Sequence, residues 1–422
     1  MRLLLVVVFL LAALASYSHA GEPLTLNECV ERALRTIPKL AEAGAAIDLT
    51  AAQRREVNAS FYPTLRSDVQ YYQEPGYREA ITNRGLAAGQ LLADYQVFDG
   101  GKRLAQLRAA QFAEQASTLG LDAARSQVIF DTSVAFYSLV HASQELQELR
   151  NSNKRLALYN NVVASLRGSG KATANDALRI QLLFDTSRVQ LNSALHQRER
   201  ASVMLSSLIG ESPRADLTVQ SPPIESSADR QGAAVDENPA LQSLMRNQVG
   251  AGEEVRAAQA EKYPTFHLAL TAGALGTDPP STLTRYWGAS YGGIISVPIF
   301  QGGAINARID QARARMRQAA TQVNQLRIDL LERLAEARSR YQEAQESSAV
   351  LQESIPSADA AFQLSWARFL GGGSITLFEV TDAYSQSLSS HLALLEQQFS
   401  ARQASAEIAK LTGNNLKLTD SK

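Results

Sequence analysis

The residues with chemistry to offer are few and far apart. His141, His196, His267 and His391 lie in separate stretches, with no His-Glu-x-x-His and no other metal-ligand spacing. A single cysteine, Cys29, excludes a disulfide framework and any Cys-rich zinc or iron–sulfur centre. Gly168-Ser169-Gly170-Lys171-Ala172-Thr173 has a superficial look of a phosphate loop. That loop needs Gly five residues before the Gly-Lys and Ser or Thr directly after the Lys; here Ser165 and Ala172 stand there. The segment reads instead as a turn between two helices, stopped by glycine, with Gly371-Gly372-Gly373-Ser374 as its counterpart. Glu379 and Asp382, three apart, share one face of a helix near its start. Carboxylates so placed either complement the helix dipole or present negative charge to whatever that face meets. This inventory supports no enzyme chemistry, no cofactor and no metal site.

The elements that position these residues are long. Of 422 residues, 45% are hydrophobic and 20% charged, which is not the composition of a disordered chain. With 41 Lys+Arg against 42 Asp+Glu, there is no electrostatic case for binding nucleic acid. Residues 1–20 read as a cleaved export signal: Arg2, an apolar run from Leu3 to Ala15, then Ser18-His19-Ala20. Thirteen apolar residues are too few to span a bilayer of about 30 Å as a helix.

The rest of the chain repeats itself once. Ile37-Pro38-Lys39-Leu40 and Tyr62-Pro63-Thr64 recur as Asn238-Pro239-Ala240-Leu241 and Tyr263-Pro264-Thr265, both 201 residues on. Phe98-Asp99-Gly100-Gly101 recurs as Phe300-Gln301-Gly302-Gly303 at 202, and Gly170, Thr173 and Asp176 as Gly373, Thr376 and Glu379 at 203. So small a drift implies two structural units in the same order. We expect repeats over 21–210 and 236–413, a Pro/Ser/Asp-rich linker over 211–235, and a tail over 414–422.

Each repeat reads helix, strand, strand, helix, helix. Helical periodicity covers Thr25–Ala59, with Thr25 and Glu28 as a capping box, then Lys102–Leu166 and Ala174–Ile209. The second half follows with Asp236–Glu261, Ala304–Phe369 and Leu377–Leu411. In each half, the two shorter helices stacked end to end roughly match the long one. At 1.5 Å per residue the long helices reach about 100 Å. These are rods. Between the first two helices the period switches to 2. Leu65, Val69 and Tyr71 alternate with Arg66, Asp68 and Gln70; Leu91, Ala93, Tyr95 and Val97 alternate with Gln90, Asp94 and Gln96, with Leu92 breaking the pattern. Phe266, Leu268, Leu270 and Ala272 form a third series, and Trp287, Ala289, Tyr291, Ile295, Val297 and Ile299 a fourth. Four strands of this length fit a transmembrane barrel, with aromatics such as Tyr62, Tyr71, Tyr72, Tyr263 and Trp287 near their ends. Four strands cannot close, and lipid tolerates no open edge, so copies of the chain must pool their strands.

The doubled Tyr-Pro-Thr, the junctions Gln96-Val97-Phe98-Asp99-Gly100-Gly101 and Val297-Pro298-Ile299-Phe300-Gln301-Gly302-Gly303, and the doubled Gly-x-x-Thr turn resemble the TolC family of outer-membrane efflux and secretion channels. The resemblance covers essentially the whole mature chain. It implies an α+β membrane protein: a trimeric α/β-barrel with four transmembrane β-strands per protomer, a long periplasmic α-helical coiled-coil barrel, and an internal two-fold repeat. It further implies a passive exit duct in the outer membrane, opened when a periplasmic adaptor (membrane fusion) protein and an inner-membrane transporter engage the hairpin tips at Gly170, Lys171, Thr173, Gly373, Ser374 and Thr376. Gly100, Gly101, Gly302 and Gly303 are the implied strand–helix junctions. Gly373 to Ala383 looks like the segment that rings the periplasmic constriction with carboxylates, here Glu379 and Asp382. Asp176 matches the family's acid in the first hairpin, part of the latch that holds the entrance shut. Ile375 departs from the family where the latch partner Arg can stand. The alternative is a periplasmic coiled-coil scaffold that never enters the membrane, which would leave the apolar faces of its hairpins uncovered.

Overall fold

The computed structural model describes residues 23–73, 85–221, 235–277, 287–372 and 375–416. The leader over 1–20 and the turn residues Gly373 and Ser374 lie outside them. The described elements run α1 (Leu26–Thr36), α2 (Pro38–Ala59), β1 (Thr64–Gln73), β2 (Gly85–Phe98), α3 (Lys102–Gly168), α4 (Ala174–Leu208), α5 (Pro239–Ala260), β3 (Thr265–Thr277), β4 (Trp287–Ser296), α6 (Ala304–Leu370) and α7 (Leu377–Leu411). The helix–strand–strand–helix–helix order recurs in both halves. No described helix is long and apolar enough to cross a membrane.

Two expected elements are divided, both for the same reason. The helix expected over Thr25–Ala59 breaks at Ile37, whose ψ of 122 is extended. The ring of Pro38 crowds the residue before it out of the helical region and has no N–H to continue the ladder. In the second half a 3-10 turn at Val235–Glu237 precedes α5, which starts at Pro239. Asn238, freed from the helix, donates its side-chain amide to the carbonyls of Lys410 (3.3 Å) and Leu411 (3.2 Å), closing the end of α7. The capping box at Thr25 and Glu28 forms as the spacing predicts. The fourth strand stops at Ser296, short of Val297 and Ile299, because Pro298 cannot donate to a ladder.

The chain forms two compact units, each built from both halves of the sequence. One comprises Met1–Ala41, Ala123–Asn238 and Asp329–Lys422; the other comprises Glu42–Asp122 and Pro239–Ile328. In the first, the long helices bury residues at heptad spacing: Val128, Ala135, Ala142, Leu149, Leu156 and Val163 on α3, and Leu330, Ala337 and Ala344 on α6. A strict repeat of seven keeps one seam facing a partner helix, as in a left-handed coiled coil. One end of this unit is sealed by Leu24, Cys29, Phe136, Leu139, Leu205, Ile209 and Leu217. Burial pushes the Cys29 thiol up to about 12, so it stays protonated inside this core.

The second unit carries an antiparallel sheet in the order β1-β2-β3-β4. Residues paired across strands lie on the same face, and the register joins the four alternating series into one surface. Leu65 pairs with Ala93, Ala93 with Leu270, and Leu270 with Tyr291. The opposite face carries Arg66, Asp68, Gln70, Gln90, Asp94, His267, Thr271 and Ser290, interrupted by Leu92 and Ile294 and, towards one end, by Tyr72, Leu86 and Leu275. On the apolar face Val69 is 81% exposed and Tyr291 89%, which in water would be a large uncovered patch. The outer edges of β1 and β4 have no strand beside them among the described residues.

Candidate functional site

Two stations carry the functional expectations, one in each unit. In the sheet unit, both strands leave through glycine pairs. Gly100 and Gly101 take positive φ, as do Gly302 and Gly303. At the first junction Asp99 staples the turn. Its carboxylate accepts from the backbone N–H of Gly101 (3.0 Å) and of Arg103 (2.9 Å), and from the Arg103 side chain (2.8 Å). Burial acts to raise the Asp99 pKa, but these donors and the guanidinium charge outweigh it and hold the group below the ordinary carboxyl range. A depressed pKa contributes stability that is present above the ordinary value near 4 and is lost as pH falls through the lower, folded one. Arg103 reaches on to the carbonyl of Ser60 (2.8 Å) and lies over the Phe61 ring, tying β2's exit to the end of α2. The second junction has Gln301 in place of this acid.

Glu261, just past α5, bridges the two long-helix starts, pairing with Lys102 at 2.7 Å and Arg308 at 2.5 Å. The Lys102 hydrogen bond is the main cause that holds its carboxyl low. No local spacing marks Glu261 or Arg308, because the bridge joins residues 47 and 159 positions apart.

The crowded junction makes a test. A Cβ at Gly100 would sit 2.6 Å from Tyr263 Cβ and 3.0 Å from the Ala260 carbonyl, whereas Gly303 faces open space. Gly303→Ala then costs only the positive-φ strain of roughly 1–2 kcal/mol. Gly100→Ala adds overpacking of about 1 kcal/mol or more. Thermal melting of the two purified variants should differ in that order, and equal losses would show that Tyr263 yields freely.

In the helical unit, the hairpin tips differ from one another. At the first, Gly170 with φ 76 ends α3, and the N–H of Lys171 bonds back to the Leu166 carbonyl at 2.8 Å. Thr173 then caps α4: its hydroxyl accepts from the Asp176 N–H (3.1 Å), while the Asp176 carboxylate accepts from the Thr173 N–H (2.8 Å) and hydroxyl (2.7 Å). The structure therefore engages Asp176 in a capping box. At the second tip Gly372 takes φ 74, and Gly373, the counterpart of Gly170 in the repeat, lies outside the described residues. Thr376 caps α7 by accepting from the Glu379 N–H at 3.4 Å, and the Glu379 carboxylate accepts no return bond from the Thr376 N–H.

Helix α7 packs through Leu377, Val380, Thr381, Tyr384 and Ser387. Glu379 and Asp382 fall on the other side, both exposed, with no ion-pair partner among the described residues. Behind them the hairpins α3–α4 and α6–α7 share an aromatic core of Tyr159, Phe362, Trp366 and Tyr384, with Tyr159 and Trp366 centroids 4.3 Å apart. The Tyr384 hydroxyl lies 2.5 Å from the Ser152 hydroxyl. Asp359 on α6 accepts from Ser387 (2.5 Å) and pairs with His391 (3.1 Å) on α7. Of the remaining histidines, His141 stacks on Phe399 beside Glu396, and His196 and His267 each face one carboxylate. No group of described His, Cys, Asp and Glu residues has the geometry to hold a metal ion.

Known proteins give the same architecture. The chain is 23% identical to protein CyaE of Bordetella pertussis over 320 residues, covering 73% of this chain and 67% of that protein. It is 20% identical to the outer membrane protein TolC of Escherichia coli over 395 residues, covering 88% and 78%. The solved structure of the outer-membrane channel OprN superposes with a TM-score of 0.81 at 21% identity, covering 92% of this chain and 89% of that one. The model of the outer membrane efflux protein family matches twice, over residues 29–211 and 232–414, which is the internal repeat. The chain belongs to the outer membrane efflux protein family, TolC-like channels seated in the outer membrane.

Proposed function

We propose that the chain is the passive exit duct of a tripartite efflux or type I secretion system, working as a homotrimer. The observation that carries this reading is the sheet: one continuous apolar face, one mostly polar face and two edges with no strand beside them among the described residues. Three copies supply twelve strands, enough to close a barrel with lipid outside and water inside. Helix α2 supports assembly too, because none of its residues is buried within the single chain. A periplasmic scaffold would leave the apolar sheet face in water, which disfavours that alternative. The duct has no chemistry of its own, and an inner-membrane transporter supplies the energy. Membrane fractionation with electrophoresis of heated and unheated samples tests the reading. A heat-dissociable trimer in the outer membrane supports it; a soluble periplasmic form overturns it.

In this reading the repeats over 21–210 and 236–413, joined by 211–235, each contribute one pair of strands and one tip. The tip residues Gly170, Lys171, Thr173 and Thr376, together with Gly373 and Ser374, meet the adaptor. Glu379 and Asp382 line the constriction, and Asp176 holds the first tip in shape beside it. Gly100, Gly101, Gly302 and Gly303 turn the barrel into the tunnel. Nothing lies within 4 Å of a Cβ at Gly170, so Gly170→Trp strains only its own turn and projects into the docking surface. Combined with Lys171→Glu, it should abolish export while leaving trimer yield intact. Export that survives both changes puts docking elsewhere.

A further inference from the structure

Next to Glu379, α7 carries Phe378, a phenyl ring 57% exposed at the mouth of the hairpin. The guanidinium of Arg179 lies 4.8 Å from the centre of that ring. Arg179 belongs to α4, so the contact joins the tips of two different hairpins. The polar and aromatic links Tyr384–Ser152 and Tyr159–Trp366 are set back in the core, and Leu377 and Val380 of α7 share a buried cluster with Val163 of α3 and Ile180 of α4. They hold the hairpins together whether or not the tips part. Beside this contact Ile375 offers no charge, and the Asp176 carboxylate is engaged by Thr173.

We propose that Arg179 and Phe378 form the tie that holds the two hairpin tips of each protomer together at the periplasmic entrance. They are positioning residues for gating; neither touches cargo. The inference rests on the channel reading. A cation within about 6 Å of an aromatic face is drawn to its quadrupole, and at an exposed site this shifts an equilibrium roughly 2- to 5-fold. Three ties that part together multiply to roughly 10- to 150-fold in the closed-to-open ratio, by the same attraction.

The test is the resting conductance of the purified full-length channel in planar bilayers. Arg179→Gln and Phe378→Leu should each raise open probability by at least tenfold with unchanged trimer yield. Arg179→Lys and Phe378→Trp keep a cation and a ring, and should stay near the parent. The double variant Arg179→Gln/Phe378→Leu should open no further than either single one. Unchanged conductance in Arg179→Gln, or additive effects in the double variant, overturns the tie while leaving the channel reading standing. A parent protein that forms no conducting pore overturns both.

Discussion

Leu91→Arg should empty the outer membrane of trimer, while Gln90→Arg, its neighbour in sequence, should leave it intact. Leu91 lies at the middle of β2 on the apolar face, paired with Ser67 on one side and Ala272 on the other. An arginine there faces hydrocarbon, at a cost of roughly 2–4 kcal/mol near the bilayer midplane. The barrel carries the change three times, so the trimer loses roughly 6–12 kcal/mol, comparable to the whole stability of an ordinary domain. Gln90 points to the opposite face, paired with Asp68 and Gly273, where Asp68 already shows that charge is accommodated. Val69→Arg, central in β1, should behave as Leu91→Arg does. The measurement is the amount of heat-dissociable trimer in the membrane fraction. Equal yields for Leu91→Arg and Gln90→Arg would mean that the sheet face has been assigned to the wrong solvent.

Glu379→Gln/Asp382→Asn should abolish the cation preference of the pore and its block by trivalent cations. In the proposed trimer, three copies bring six carboxylates to one narrow axis, where clustered negative charge concentrates cations and repels anions. The preference should fade as salt rises, since the screening length shrinks from about 10 Å at 0.1 M to 3 Å at 1 M. The competing role for an acid at this place is helix capping, and the two tips separate the roles. The Asp176 carboxylate accepts from the Thr173 N–H in the cap of α4, whereas Glu379 only donates its N–H to the Thr376 hydroxyl and its carboxylate accepts nothing from that cap. Asp176→Asn should therefore cost roughly 0.3–1 kcal/mol of stability through the lost charge at the helix start and leave selectivity alone. Glu379→Gln/Asp382→Asn should do the reverse. If selectivity survives the double change and melting temperature falls, these acids are caps and the constriction belongs to other residues.

Much of this molecule was legible along the chain. Helix–strand alternation, the doubled motifs and the glycine turns all follow from local rules: a period of 3.6 or 2, a proline that cannot donate, a glycine that accepts positive φ. The errors were local as well. Thr25–Ala59 was expected as one helix although Pro38 carried the signal for its break, and β4 was carried past Pro298.

What the sequence determined by itself is the set of elements, their order and which side of each strand is apolar, because these depend on neighbours within a few residues. What the tertiary structure decided is how those sides combine. Four separate alternating series become one lipid-facing surface only through the register of β1 with β2 and of β2 with β3, a pairing that spans the two sequence halves. The Glu261 bridge, the Ser152–Tyr384 bond 232 positions apart and the Arg179–Phe378 contact likewise join residues that no spacing relates. Such contacts form when long helices pack along a heptad seam, and that seam states only that a partner helix exists. Which helix it is, and which side chains it brings opposite one another, is fixed by packing.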